Sequence, residues 1–171
     1  MLYTSEYLSP LGQLLLLAND EALLGLWFTD QKYYGASYPL AEAVAQENKI
    51  TAEVTDWLEA YFAGQQPPIA LLSLAPAVTT FREKVLRILQ DIPYGEVVTY
   101  QQIVDRLKAT YGEKIGSARA VGGAVGHNPI SIIIPCHRVI GSNGSLTGYA
   151  GGIARKQALL RLEGIDFDTR H

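Results

Sequence analysis

The chain contains one cysteine and one methionine in 171 residues. A lone thiol closes no internal disulfide and supplies no four-cysteine zinc site, so the disulfide-stapled and cysteine-rich zinc classes are excluded. The sulfur of Cys136 is therefore either a packing atom or a reagent. Long hydrophobic runs are also missing. Leu14-Leu15-Leu16-Leu17 is too short for an export signal, lies beyond Pro10 and has no basic segment ahead of it. The longest uncharged stretch, residues 60–81, has the length of a membrane span but contains Gly64, Pro67, Pro68 and Pro76, which break a helix. It reads as a linker with a buried strand, and no membrane partner is expected. There is no low-complexity tract or internal repeat, and a composition of 48% apolar and 18% charged residues excludes the disordered and fibrous classes.

Basic residues are scarce in the first half. Residues 1–79 hold two basic and nine acidic side chains, a net of −7, whereas residues 80–171 hold twelve basic and eight acidic, a net of +4. The formal total of −3 hides this polarity. A polyanion such as nucleic acid would meet the second half, with the acidic half turned away; two ordinary solvated surfaces would give the same counts.

The length suits one sizeable core or two small domains in contact. Residues 13–18 and 22–28 are apolar runs separated by Asn19-Asp20-Glu21, a strand-turn-strand pattern. Residues 40–49 and 51–63 have helical composition, the latter with Val54, Trp57, Leu58 and Tyr61 on one face and Gly64 as its stop. The proline-rich stretch 67–76 is the natural boundary. Beyond it, residues 80–90 place Phe81, Val85, Leu86 and Leu89 on one helical face, and Ile92-Pro93-Tyr94-Gly95 ends that helix as a turn. Thr99 and Gln102 have the spacing of a capping box, predicting a helix from Tyr100 to about Ala109. Ser117 is placed to cap a second helix over 118–127, and two short helices in tandem suggest a helix-turn-helix. The fold class expected is α+β: a small N-terminal mixed α/β domain, residues 1–76, then a mainly helical C-terminal domain, residues 79–171, with a helix-turn-helix and a short active-site strand.

The second helix of that pair breaks a local rule. Gly122, Gly123 and Gly126 interrupt it, each costing roughly 1 kcal/mol relative to alanine. Ala118, Val121, Gly122, Val125 and Gly126 follow helical spacing, so one face is almost bare backbone, suited to close approach by another helix or by a sugar-phosphate chain. Arg119 is its one long side chain.

After Asn128-Pro129, residues 130–134 read as a buried strand that delivers Pro135-Cys136-His137-Arg138-Val139. His137 and Arg138 are placed to lower the pKa of the thiol, whose ionised form is the nucleophile. Successive strand side chains point to opposite faces, so His137 reaches the sulfur only if the strand ends at Pro135 or a water bridges them. Residues 153–162 form an apolar-rich helix ending at Glu163-Gly164. A carboxylate on the last turn opposes the helix dipole, so Glu163 calls for a partner: His137, Arg161 or Arg170.

With Arg119-Ala120-Val121-Gly122-Gly123-Ala124, Asn128-Pro129, Ile134-Pro135-Cys136-His137-Arg138-Val139 and Gly148-Tyr149-Ala150-Gly151-Gly152 in order, the chain resembles the O6-alkylguanine-DNA alkyltransferases (methylated-DNA-protein-cysteine methyltransferases). The resemblance covers about residues 79–166 and extends only loosely over 1–76. It implies repair by direct reversal: Cys136 takes the alkyl group from O6-alkylguanine or O4-alkylthymine, once per molecule and without metal or cofactor. His137 would deprotonate the thiol through a water, with Glu163 holding the imidazole. It implies that Asn128 ties the DNA-binding helix to the active-site segment, that Tyr100 assists rotation of the target phosphate and hydrogen-bonds the extruded base, and that Arg119 fills the space left in the duplex. Ala118, Gly122 and Gly126 would let the helix enter the minor groove, and Tyr149, Ala150, Ser131 and Val139 would line the alkyl pocket. The implied partner is double-stranded DNA containing alkylated bases, met by a cytoplasmic monomer. The spacing from Tyr100 to Arg119 is several residues longer than in compact relatives, through Lys108, Tyr111, Glu113 and Lys114, and Ser131 stands where some relatives have proline. The competing readings are a cysteine hydrolase using Cys136, His137 and Glu163, and a non-catalytic helix-turn-helix module in which Cys136 only packs.

Overall fold

The computed structural model describes residues 1–112, 115–146 and 148–166. Helices and strands are mixed, and the chain divides into two compact units, the first made of Met1–Ala77 and Pro129–Ser131, the second of Val78–Asn128 and Ile132–His171.

The first unit is built on strands β1 (Tyr3–Ser9), β2 (Gly12–Ala18), β3 (Leu23–Phe28) and β4 (Val44–Ala45) in the order β3-β2-β1-β4. The first three form an antiparallel meander, and β4 pairs parallel with β1. Leu14 to Ala18 of β2 are all buried, which is why this strand is continuously apolar and lacks the alternation of a half-exposed one. Each leucine so buried contributes about 1.5–3 kcal/mol. Leu15, Leu17, Leu24 and Trp27 form one cluster. The indole of Trp27 lies over Gly25, where a Cβ would come within 2.0 Å of the ring, so only glycine fits there. Helix α1 (Lys49–Phe62) begins at Asn48, whose side chain accepts from Thr51 N–H while Thr51 Oγ1 accepts from Asn48 N–H, both at 2.9 Å. It packs on β1, β2 and β3 with Val54, Trp57, Leu58 and Tyr61 buried.

Two expectations for this unit are corrected. Residues 40–49 are not a helix: Leu40–Glu42 is a single 3-10 turn, Ala43 is extended, and Val44 N–H is taken by Leu2 O at 2.8 Å, so sheet pairing overrides helical composition. Residues 67–76 hold no named strand. Leu74 makes one parallel bridge with Leu23, and the flanking Pro67, Pro68 and Pro76 leave no room for a longer ladder. The strand β1 was not anticipated, because Thr4, Ser5 and Glu6 give it no apolar run.

In the second unit α2 (Thr80–Gln90), α3 (Tyr100–Tyr111) and α4 (Ala118–Gly126) pack on one another. Side chains start all three: Thr79 accepts from Arg82 N–H, Thr99 and Gln102 form a reciprocal capping box, and Ser117 accepts from Ala120 N–H. α3 ends at Gly112, with φ of 119°; Glu113 and Lys114, on which the longer spacing turned, lie outside the described residues. Among the described residues no helix is long and apolar enough to cross a membrane.

The buried strand expected over 130–134 is also corrected. Ile130 makes a single bridge with Leu26, and the chain then turns through Ile132, whose φ is +71°. A β-branched residue in the left-handed region is strained by about 1–3 kcal/mol and persists only where its surroundings fix it. Cys136–Arg138 then forms one 3-10 turn, and the only regular strand of this region is the two-residue β6 (Val139–Ile140), parallel to β5 (Val98–Thr99). A short apolar run does not distinguish a strand from other buried backbone, and here tertiary pinning decides. The last helix, α5 (Ile153–Leu162), ends at Glu163 with Gly164 at φ of 89°.

Candidate active site

The 3-10 turn that carries Cys136 changes what its neighbours reach. Three residues per turn set Cys136, His137 and Arg138 about a third of a circle apart, so they need not alternate across a sheet. All three are buried, and Cys136 retains 6% of its exposure.

Glu163 is the hub. Its Oε2 lies 2.6 Å from His137 Nε2, and its Oε1 accepts from Arg138 Nε at 2.7 Å and from Gly95 N–H at 3.2 Å. Arg138 Nη2 adds a bond to Oε2 at 3.1 Å, and Nη1 donates to Ile92 O at 2.7 Å. The guanidinium stands 5.8 Å from the centroid of the Tyr94 ring. The turn Ile92-Pro93-Tyr94-Gly95, read from sequence only as a helix stop, thus supplies the outer wall of the ion cluster. Burial alone would raise the Glu163 carboxyl, but His137 and Arg138 outweigh it and hold it down to about 2. An ionised carboxylate on Nε2 makes that nitrogen the protonated one. His137 Nδ1 is then the basic lone pair, and no hydrogen-bond partner is found for it among the described residues. Burial lowers the imidazole pKa, with Glu163 opposing, which favours the neutral ring.

Burial pushes the Cys136 thiol up, and a hydrogen bond from the Asn128 side chain and the charge of Lys156 pull it partly back. This corrects the expectation that His137 and Arg138 would lower it: Arg138 is spent on Glu163, and His137 is uncharged. Asn128 also donates from Nδ2 to Ile134 O at 2.9 Å, closing the loop that leads to the cysteine. Of the three partners considered for Glu163, Arg161 lies instead 3.5 Å from Asp166, and Arg170 is outside the described residues.

Lys156 was missed by sequence reading. It is fully buried on α5 and donates from Nζ to Val139 O at 2.5 Å and to Gly148 O at 3.5 Å. Burial lowers its pKa to about 8. Its position three and four residues before Leu159 and Leu160, on their face of the helix, was the available signal. Tyr149 and Ala150 are half-buried in the loop that follows Gly148, and Val139 is buried in β6. Ser131 is buried, and its hydroxyl donates to Gln31 Oε1 at 3.2 Å.

On α4 the small residues divide. Val121, Ala124 and Val125 are buried, whereas Ala118 and Arg119 are exposed and Gly122, Gly123 and Gly126 are half-buried. A Cβ on Gly123 or Gly126 would meet nothing within 4 Å, and one on Gly122 would only reach the Tyr100 ring at 4.0 Å. Tight packing inside the described protein therefore does not explain these glycines. Arg119 sits in the first turn with no acidic residue beside it, so the helix dipole and the guanidinium present positive charge together. No group of three or more His, Cys, Asp or Glu among the described residues is arranged to hold a metal ion.

Comparison with known proteins converges on one family. The model described as "6-O-methylguanine DNA methyltransferase, DNA binding domain" matches residues 80–165, and that described as "6-O-methylguanine DNA methyltransferase, ribonuclease-like domain" matches residues 2–76. A methylated-DNA–protein-cysteine methyltransferase of Mycolicibacterium paratuberculosis is 43% identical over 155 residues, 91% of this chain and 88% of the relative. One from Haemophilus influenzae is 38% identical over 166 residues, 97% and 88% of the two chains. The crystal structure of Mycobacterium tuberculosis OGT in complex with DNA superposes with a TM-score of 0.81 at 41% identity, covering 94% of this chain and 92% of that one. The O6-methylguanine-DNA methyltransferase of Pyrococcus kodakaraensis gives 0.68 at 26% identity, covering 96% and 100%. With the two models together spanning nearly its whole length, the chain belongs to the 6-O-methylguanine DNA methyltransferase family, with that family's N-terminal domain followed by its DNA-binding domain.

Proposed function

We propose that this protein repairs DNA by transferring the alkyl group of O6-alkylguanine or O4-alkylthymine to Cys136. The observation that carries the reading is the 2.6 Å contact between His137 Nε2 and Glu163 Oε2 on the turn that bears the thiol. It leaves Nδ1 as the base. The thiol proton passes to Nδ1 through a water, the sulfur attacks the alkyl carbon, the carbon–oxygen bond breaks, and its electron pair returns to the base, which takes up a proton. The reaction balances without a cofactor. Because the thiol is held protonated by burial, its ionisation accompanies attack. The product thioether is stable to hydrolysis, so each molecule acts once.

Residues 79–171 carry the DNA-binding and transfer steps. Arg119 enters the duplex from the minor groove, with the open glycines and Ala118 of α4 giving the helix a slim leading face. Tyr100, whose ring neighbours Gly122, steadies the extruded base. Tyr149, Ala150 and Val139 line the alkyl pocket, and Asn128 joins α4 to the turn. The protein works as a cytoplasmic monomer on double-stranded DNA.

The test is duplex DNA radiolabelled on the O6-methyl of guanine. One label per protein, on Cys136, is expected, with Cys136→Ala binding duplex but accepting none. Repeated release of free label would make the protein a hydrolase. Binding without transfer would make it a recognition module.

A further inference from the structure

Within the loop between α4 and the cysteine turn, Pro129 to Ser131 belong to the first unit. β3 is the edge strand of its sheet, and Leu26 spends its outward groups on this loop: Leu26 N–H donates to Pro129 O at 2.8 Å, and Leu26 O accepts from Ser131 N–H at 2.9 Å. One side chain adds to this ladder. Gln31, only 7% exposed, accepts through Oε1 from Phe28 N–H at 2.9 Å and from the Ser131 hydroxyl at 3.2 Å, and donates through Nε2 to Lys32 O at 3.2 Å. The next residue after Ser131 is Ile132, the strained one at φ of +71°. On its far side, the Asn128 bond to Ile134 O fixes the loop again. Strained backbone survives where both flanks are determined, and buried neutral hydrogen bonds specify one arrangement because the alternatives leave polar atoms unpaired.

We infer that Gln31 is a positioning residue for the sulfur: through the Ser131 hydroxyl it fixes the tip of the 128–134 loop on β3, and so sets the turn that presents Cys136. The inference rests on Cys136 being the reacting atom, and assigns the N-terminal sheet a part in its placement. Displacing a nucleophile by an ångström costs up to about 100-fold in rate.

Ser131→Ala, Gln31→Leu and the double variant test it, with two readouts. One is the single-turnover rate of methyl transfer from duplex DNA. The other is the pH profile of alkylation by iodoacetamide, which needs no DNA and, in a chain with one cysteine, reports Cys136 alone. Each single variant is expected to lose about 10-fold in transfer rate and to shift the iodoacetamide profile, with duplex affinity within about 2-fold of the parent; the double variant is expected to be no slower than the worse single one. Unchanged rate and profile in Ser131→Ala would overturn the assignment, as would losses that multiply in the double variant. Should Gln31→Leu fail to fold, Ser131→Ala decides alone, since it deletes one oxygen. A shifted iodoacetamide profile in a protein that takes no methyl from DNA would uphold the positioning role while removing the proposed repair function.

Discussion

The imidazole of His137 and the carboxylate of Glu163 meet at 2.6 Å with both side chains sealed from solvent. The other carboxylate oxygen takes Arg138 at 2.7 Å, so one buried anion orients the imidazole and neutralises the guanidinium. A buried pair of this kind is weak grounds for stability in itself, but removing one partner strands the others.

Glu163→Gln should therefore cost in two ways. Loss of the fixed tautomer slows methyl transfer by roughly 100-fold, read by single-turnover assay. It also removes an acid-sensitive contribution. The folded value of about 2 lies below the ordinary 4.5, so ionised Glu163 stabilises the protein above pH 4.5 and that stability is lost as pH falls toward 2. The linked free energy is about 3 kcal/mol. Urea unfolding between pH 5 and 2.5 should show this slope in the parent and not in the variant; equal slopes would refute it.

Lys156 adds a slope of the same sign at higher pH. Its folded pKa of about 8 lies below the ordinary 10.5, so the unfolded chain binds the extra proton between those values and stability rises with pH across that range. The thiol, raised by burial, opposes this slope, so the comparison is made with Cys136→Ala in both proteins. Cys136→Ala should gain stability from pH 7.5 to 9.5, and Cys136→Ala with Lys156→Met should stay flat over the same interval in urea titrations.

Gly123→Ala and Gly126→Ala should separate folding from binding. With nothing within 4 Å of the added Cβ, each substitution stabilises α4 by about 0.5–1 kcal/mol. If that face meets DNA, duplex affinity falls several-fold at the same time. A higher urea midpoint with unchanged binding by fluorescence anisotropy would show that the face points elsewhere.

Arg119→Ala should slow transfer from duplex DNA by 10-fold or more, while reaction with free O6-methylguanine changes by less than about 2-fold, because only the duplex requires extrusion costing a few kcal/mol. Equal losses on both substrates would contradict the role of Arg119.

Local chemistry was legible in the sequence where it acts within a turn. Thr99 and Gln102, Ser117, and Gly164 each mark a helix end by bonds or dihedral freedom spanning three or four residues, and the structure has those ends. The meeting of His137 with Glu163 was one of several pairings open to a carboxylate at a helix end. Arg138 joining the same carboxylate, and Lys156 reaching Val139 O, depend on α5 packing against the cysteine turn, a long-range event with no local signature. Residues 130–134 misled for the same reason. Their β-branched run is right for a strand, but the partners at Leu26, Gln31 and Asn128 are 6 to 105 positions away in the chain or act through single atoms, and they impose a reversal instead.

Three residues from the middle of the C-terminal half, Pro129 to Ser131, cluster with the first unit and meet β3 at one isolated bridge, Ile130 with Leu26. Severing the polypeptide at its proline-rich linker would therefore not yield two autonomous fragments. The shorter piece would carry a raw β3 margin, and the longer one a loop stripped of its docking rail, so the halves are expected to regain activity only when mixed, by complementation.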